Sequence, residues 1–125
     1  MPGIDNTLDK ILEIPGALGV SLVDYTSGLV IAASGWSSGD PDVAAAGATD
    51  LVRAAMDNVA FAGSEAGDSV EDIVVAAWAR YHVLRFVETT FDSRLFLYLW
   101  LDRGFANVAI ARHRLRALAE DLVLA

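Results

Sequence analysis

Apolar residues at the start of this chain alternate with a period of two, which predicts a β-hairpin. Leu18, Val20 and Leu22 occupy every second position, as in a β-strand with one face buried. Residues 24–28 carry turn-forming side chains and end in a glycine, and residues 29–33 are again apolar. The pattern therefore predicts two strands joined by a tight turn.

Three more apolar runs, at residues 72–79, 81–88 and 94–102, predict a second group of strands. Each is rich in β-branched or aromatic residues, and turn-like residues separate them. Short connections of this kind favour antiparallel pairing. We therefore expect a three-stranded meander.

Helical periodicity and capping residues predict three helices. Asp5 or Asn6 can cap the first, and Asp40 can cap the second, with Pro41 at its first helical position. The predicted helices span residues 7–14, 42–62 and 106–124, and a polar loop spans residues 63–69. The element order is therefore α-β-β-α-β-β-β-α.

The later strands are apolar on both faces, which indicates that helices cover both sides of the sheet. Leu95, Leu97, Leu99 and Leu101 alternate with Phe96, Tyr98 and Trp100, and the run at residues 72–79 has the same character. A sheet with one wet face would show polar residues at every second position. We therefore predict an α+β fold in one domain over residues 1–125, a three-layer α/β/α sandwich around a five-stranded antiparallel sheet.

The second helix has an apolar arc wider than one sheet face requires. Its polar side holds Asp50, Arg53 and Asp57, and the remainder is apolar or small. We expect a bulky part, centred on Val52, Met56 and Val59, to face the sheet. The other part is mostly small and suits close contact with a second helix, which predicts a homodimer. The alternative is that alanine is only a good helix former. The residues of this small part are Ala44, Gly47, Ala48, Leu51 and Ala55.

Composition narrows the class of protein. Of the 125 residues 54% are hydrophobic, but no uninterrupted apolar run is longer than residues 95–101, which are far too few to span a membrane. The net charge of -8 argues against binding to nucleic acid or to anionic lipid. The chain has no cysteine, and its start shows no secretory signal, so we expect a cytoplasmic protein.

Four segments together resemble a known family. They are residues 8–12, 14–19, 22–32 and 106–116, and they include the Asp-to-Gly hairpin and an arginine-rich last helix. From residue 7 to residue 122 the chain resembles the Roadblock (dynein light chain) family, particularly its bacterial single-domain members. The resemblance departs from the common pattern in a longer hairpin and in Trp78 at the end of the third strand.

The resemblance carries expectations about fold and function. It implies a profilin-like, Longin-related sandwich that dimerises through the second helix, with third strands paired edge to edge, which adds Val74 and Ala76 to the interface. It also implies a non-enzymatic scaffold that binds a small Ras-like GTPase and either activates it or biases its nucleotide state.

No residue pattern indicates catalysis or a cofactor. His82, His113, Ser21 and Ser34 have no partners in the sequence that suggest a catalytic group, and Asp40 and Asp42 are better explained by capping. The loop at residues 35–39 lacks the lysine of a phosphate loop. We therefore predict no catalytic residue, no metal, no cofactor and no enzyme.

Arginines form the one basic cluster in the sequence. Arg112, Arg114 and Arg116 lie on the last helix, with Arg103 close by. A solvated surface with an Arg116–Glu120 pair is the simpler interpretation, and contact with an acidic partner is the other. Arg85, between apolar neighbours in a strand, is expected to pair with Glu88 or with an acid on the neighbouring strand.

Two aromatic residues suggest contacts with a partner protein. Trp36 lies in a loop and Phe61 on the polar side of the second helix, and exposed aromatics are enriched at interfaces. With Arg53 and Asp57 they are our candidate partner contacts. The alternative function is a small-molecule sensor or dimerisation module of a signalling system, with His82, Arg85 and Tyr98 lining a pocket.

Overall fold

Five strands form one antiparallel sheet. The computed structural model describes residues 2–37, 39–62, 69–87 and 94–123. The predicted α+β fold and element order are confirmed, except that the second helix is followed by a separate short helix. The elements are α1 (Pro2–Ile11), β1 (Ala17–Asp24), β2 (Leu29–Gly35), α2 (Pro41–Asp57), α3 (Val59–Ala62), β3 (Asp72–Ala76), β4 (Arg80–Val87), β5 (Leu95–Asp102) and α4 (Val108–Val123). Within the sheet the strands lie in the order β2-β1-β5-β4-β3.

Helices cover both faces of the sheet, as the strand pattern predicted. On one face α1 and α4 pack over an aliphatic core that includes Leu8, Leu97 and Leu115. On the other face α2 packs over a core that includes Phe96 and Tyr98. Because β5 lies in the centre of the sheet, its alternate side chains supply both cores.

The predicted hairpin forms between β1 and β2. Asp24 Oδ1 accepts hydrogen bonds from the backbone N–H and the hydroxyl of Thr26, at 2.8 and 2.6 Å. Both bonds lower the pKa of Asp24, and the bond from the Thr26 hydroxyl has the larger effect. Gly28, at φ 76°, donates its N–H to the Asp24 carbonyl at 2.8 Å and closes the turn.

The boundaries of the first two helices differ from the prediction. The first helix spans Pro2–Ile11 rather than residues 7–14, so Asp5 and Asn6 lie inside it and do not cap it. The second helix ends at Asp57 because Asn58 adopts an extended backbone and its side chain accepts a hydrogen bond from Ala60 N. Asparagine forms such caps readily, so it divides the predicted helix in two.

The third strand is shorter than predicted. It ends at Ala76, and the Ala77 N–H bonds to the Arg80 carbonyl at 2.9 Å, which turns the chain. Trp78 therefore lies on a turn and is 96% exposed. Most of the predicted loop at residues 63–69 lies outside the described residues, and so does Glu88.

Candidate functional site

The side of α2 that faces the sheet carries mainly small residues, whereas bulky ones were predicted there. Ala45, Ala48 and Val52 are buried against the second core. Of the bulky residues expected there, Val52 is buried, but Met56 is 37% exposed and Val59 92% exposed. The predicted assignment of Met56 and Val59 to the sheet is therefore wrong.

Aromatic side chains from the sheet and from a loop explain this arrangement. Phe96, Tyr98 and Trp36 fill the space beneath α2, with Trp36 and Tyr98 ring centroids 6.0 Å apart. Because interiors pack at fixed density, large side chains on the sheet require small ones on the helix. The bulky residues of α2 are left outside the core.

The predicted dimer residues of α2 divide into two groups. Ala48 and Ala55 are buried within their own chain and add little accessible surface. Ala44 is half-buried, Gly47 is exposed and Leu51 is 41% exposed. The accessible part of the predicted helix surface therefore centres on Gly47 and Leu51.

The two predicted dimer residues of β3 lie on the opposite face of the sheet from α2. Val74 pairs with Val83, which is buried in the α4-side core, and Ala76 is on the same face as Val74. Ile73 and Val75 are on the α2 side of β3. Successive side chains of a strand point to opposite faces of the sheet. The sequence alone could therefore have placed Val75 on the opposite face from Val74 and Ala76.

Two apolar depressions follow the boundary between α2 and β3. One, of about 200 Å³, is lined by Gly47, Leu51 and Val75 among others. The other, of about 340 Å³, is lined by Leu51, Ala55 and Phe61 among others. Leu51 lines both depressions, so the two adjoin. We call the two depressions together the α2–β3 surface.

Trp36 is not the exposed aromatic that the sequence predicted. It is 7% exposed, its indole Nε1 donates to the Val20 carbonyl at 2.9 Å, and its ring packs on Gly19. Its backbone has a positive φ of 70°. Trp36 is therefore a core residue, and direct contact with a partner is excluded as its role.

The other predicted partner contacts are exposed. Arg53 Nε donates to the Tyr25 carbonyl at 2.8 Å, and its Nη2 donates to the Thr26 carbonyl, so this side chain already anchors the β1–β2 turn. Asp57 is exposed at the end of α2, and Phe61 on α3 is 56% exposed. Phe61 therefore remains the aromatic candidate.

Two of the three residues predicted to line a ligand pocket do come together. His82 Nδ1 lies 2.8 Å from the Tyr98 hydroxyl, and both line the smaller depression. Burial, and then the nearby Arg80, lower the pKa of His82, while burial raises the pKa of Tyr98. Arg85 does not join them, because it is three residues from His82 on the same strand and therefore faces α4.

Arg85 pairs with an acid just before the neighbouring strand, whereas the prediction was Glu88 or an acid on that strand. Its Nη1 lies 2.9 Å from Glu71 Oε1, one residue before β3. Arg116 lies 3.6 Å from the same oxygen, so among the described residues its ion pair is with Glu71 and not with Glu120 as predicted. No pattern in the sequence had pointed to Glu71.

The described residues provide neither a metal-ligand cluster nor a membrane span. Among them, no group of three or more His, Cys, Asp or Glu side chains is placed to hold a metal ion. None of the described helices is both long enough and apolar enough to cross a membrane.

Solved structures share this architecture. No protein-family model and no curated protein matches the sequence. A structure of Myxococcus xanthus MglB superposes with a TM-score of 0.81 at 19% identity, covering 98% of this chain and 86% of the other. The gliding protein MglB from Thermus thermophilus gives 0.78 at 16% identity, covering 98% and 87%. A Roadblock/LC7 domain from Streptomyces avermitilis gives 0.71 at 20% identity, covering 93% and 91%. The chain therefore has the Roadblock/LC7 fold that its sequence predicted.

Proposed function

We propose that this protein is a homodimeric, non-enzymatic regulator that binds a small Ras-like GTPase. The observation that carries the proposal is the α2–β3 surface, an apolar surface on a Roadblock fold that the described residues leave uncovered. The Roadblock resemblance supplies the class of partner, and the structural similarity to the MglB proteins supports the fold on which that resemblance rests.

The dimer in this proposal forms through α2 and the edge of β3. Gly47 allows the backbones of two α2 helices to approach closely, and Leu51 would be buried between them. In the described part of the chain β3 is an edge strand that pairs only with β4. It has no proline or lysine to block pairing with a second copy. If two β3 strands paired edge to edge, Val74 and Ala76 would also enter the interface, on the face of the sheet that α4 covers.

The GTPase would contact the end of α2 and the short α3 in this proposal. Phe61 and Val59 are exposed apolar side chains there, next to the exposed carboxylate of Asp57. Binding one nucleotide state more tightly than the other would shift the switch equilibrium of the GTPase, since only differential affinity does so.

A pull-down tests the GTPase proposal. A small Ras-like GTPase from the same organism, loaded with GDP or with a non-hydrolysable GTP analogue, is expected to bind in one form preferentially. Phe61→Asp should weaken binding at least about tenfold, as loss of an interface anchor does. Ile110→Asp, at an exposed apolar residue on α4, is the matched control and should bind normally. If neither nucleotide form binds the wild-type protein, the proposal is wrong.

A small-molecule sensor is the second candidate function. The depression of about 200 Å³ lined by His82 and Tyr98 favours it, because it combines apolar walls with a polar pair. In the dimer proposed above a second copy would cover this depression. A ligand that raises the thermal midpoint of the wild-type protein but not of Tyr98→Phe would support the sensor.

A further inference from the structure

Three arginines meet in a groove on the face of the sheet that α4 covers. Arg85 projects from β4 between Val83 and Val87, and its side chain is only 14% exposed. Arg112 and Arg116 come from α4. The groove has a volume of about 240 Å³ and is also lined by Glu71, Asp72, Ala109 and His113.

The two carboxylates in the groove have different roles. Asp72 forms a two-point pair with Arg112, with Oδ2 2.7 Å from Nε and Oδ1 2.9 Å from Nη2. Such forked pairs are the strong, geometrically defined kind. Glu71 instead uses one oxygen, Oε1, for both Arg85 and Arg116. Asp72 therefore holds Arg112 in place, whereas Glu71 is a single exposed acceptor shared by two cations.

Glu71 satisfies this basic cluster incompletely. Arg85 Nε is buried and has no hydrogen-bond acceptor among the described residues. Half of the Glu71 side chain is exposed, and exposed ion pairs bind weakly. The hydrogen bond and charge of Arg85, followed by the charge of Arg116, lower the pKa of Glu71, so its carboxylate is held as an anion.

Charge and geometry together indicate what would replace the Glu71 carboxylate. If the Glu71 carboxylate moves away, the carboxylate of Asp72 balances one of the three guanidinium charges, and a net charge of two positive units remains in the groove. A phosphate monoester carries about -1.5 to -2 charges at pH 7 and offers three acceptor oxygens. Guanidinium groups match phosphate geometry well. This groove is basic in a protein whose net charge is -8.

We propose that this groove, lined by Arg85, Arg112 and Arg116, binds a phosphate monoester group that displaces the Glu71 side chain. The backbone of Glu71 need not move, because its carbonyl stays bonded to Phe86 N at 3.3 Å. The groove lies on the α4 side of the sheet and the α2–β3 surface on the α2 side, and Asp72 at the edge of the sheet borders both. The three arginines that would hold the phosphate line neither depression of the α2–β3 surface. Phosphate binding and GTPase binding therefore use different side chains, and either proposal can fail without the other.

An NMR titration of the full chain tests the site. The probe is inorganic phosphate, added to isotopically labelled protein at constant ionic strength, with chloride as the reference salt. Phosphate should shift the backbone signals of Glu71, Asp72 and Ala109. Phosphoserine and glucose 6-phosphate then distinguish a phosphorylated side chain from a small phosphorylated metabolite as the source of the group.

Three variants make the test specific. Glu71→Gln removes the competing carboxylate and should tighten phosphate binding about threefold. Arg116→Gln should weaken it about tenfold, as loss of a charged hydrogen-bond donor does. Arg114→Gln is the matched control, because Arg114 lies on the same helix but does not line the groove. The proposal is overturned if the wild-type protein and Glu71→Gln show no saturable shift, or if Arg114→Gln weakens binding as much as Arg116→Gln. The NMR spectrum of each variant confirms that it is folded.

Discussion

Gly19 and Trp36 illustrate how single residues determine the packing beneath α2. A Cβ added to Gly19 would lie 2.6 Å from Trp36 Cδ2, closer than such atoms approach in real proteins. The indole is also held by its bond to the Val20 carbonyl, so it cannot move aside without losing that bond. Gly19 is therefore required by the aromatic ring above it.

We expect Gly19→Ala to destabilise the protein by about 1–3 kcal/mol, the usual cost of overpacking a core. Gly3→Ala is the matched control, because Gly3 lies in α1 and an added Cβ would meet nothing within 4 Å. This control should stabilise the helix slightly, since alanine favours helix. Urea unfolding measures both changes. A Gly19→Ala protein as stable as the wild type would contradict the packing described here.

His82 provides a pH dependence whose sign follows from burial. Because the pKa of His82 is lowered in the folded state, the unfolded chain binds a proton more readily. The contribution of neutral His82 to the free energy of unfolding should therefore be complete above about pH 6.5, the unperturbed pKa of histidine. The free energy of unfolding should decrease as the pH falls below that value.

The variant His82→Gln removes this titration and keeps a polar side chain beside Tyr98. Its free energy of unfolding should fall less than that of the wild type between about pH 7.5 and pH 5.5, a window that brackets the unperturbed value, as measured by urea unfolding. Equal slopes in wild type and His82→Gln would show that His82 does not cause the dependence.

At the scale of elements, α2 depends on the hairpin it packs beside. Arg53 bridges from the C-terminal half of the helix to the carbonyls of Tyr25 and Thr26 in the β1–β2 turn. The sequence placed Arg53 on the polar side of α2 and suggested a partner contact, but its donors are used within the chain.

Arg53→Ala should lower the free energy of unfolding by about 1–2 kcal/mol, because two hydrogen bonds from a charged donor are lost at an exposed site. Hydrogen exchange at Gly28 should accelerate, since this amide closes the turn that Arg53 anchors. Asp57→Asn, at an exposed residue one turn further along α2, is the control and should change neither quantity. Unchanged exchange at Gly28 in Arg53→Ala would contradict the anchoring role.

At the scale of the whole molecule, the uncovered α2–β3 surface predicts self-association. Leu51→Asp places a charge between the two depressions and should convert a dimer into a monomer of 13.3 kDa in sedimentation equilibrium. An unpaired carboxylate buried in an interface costs more free energy than the contact gains. The exposed α4 variant Ile110→Asp should remain dimeric.

The dimer prediction fails in either of two cases. Wild-type protein that sediments as a monomer at high concentration would contradict it directly. A Leu51→Asp protein that still sediments as a dimer would show that copies associate through another surface. Circular dichroism of each variant confirms that the charge has not unfolded the monomer.

Local patterns in the amino-acid sequence determined the architecture of this protein. Alternation in β5 required helices on both faces of the sheet, and the turn at residues 24–28 required a hairpin. These features depend on neighbouring residues and on backbone preferences, which are written in the sequence itself. The surplus of apolar residues on α2 was also visible there, and the fold leaves part of it uncovered.

Tertiary structure decided which apolar residues are buried and which charges meet. Trp36 is buried and Met56 and Val59 are exposed, because the space beneath α2 is filled by aromatic side chains from distant positions. Glu71 meets Arg85 and Arg116 only because β4 and α4 bring residues far apart in sequence to one groove. Periodicity specifies the face of an element, but volume and charge complementarity are properties of elements already packed together.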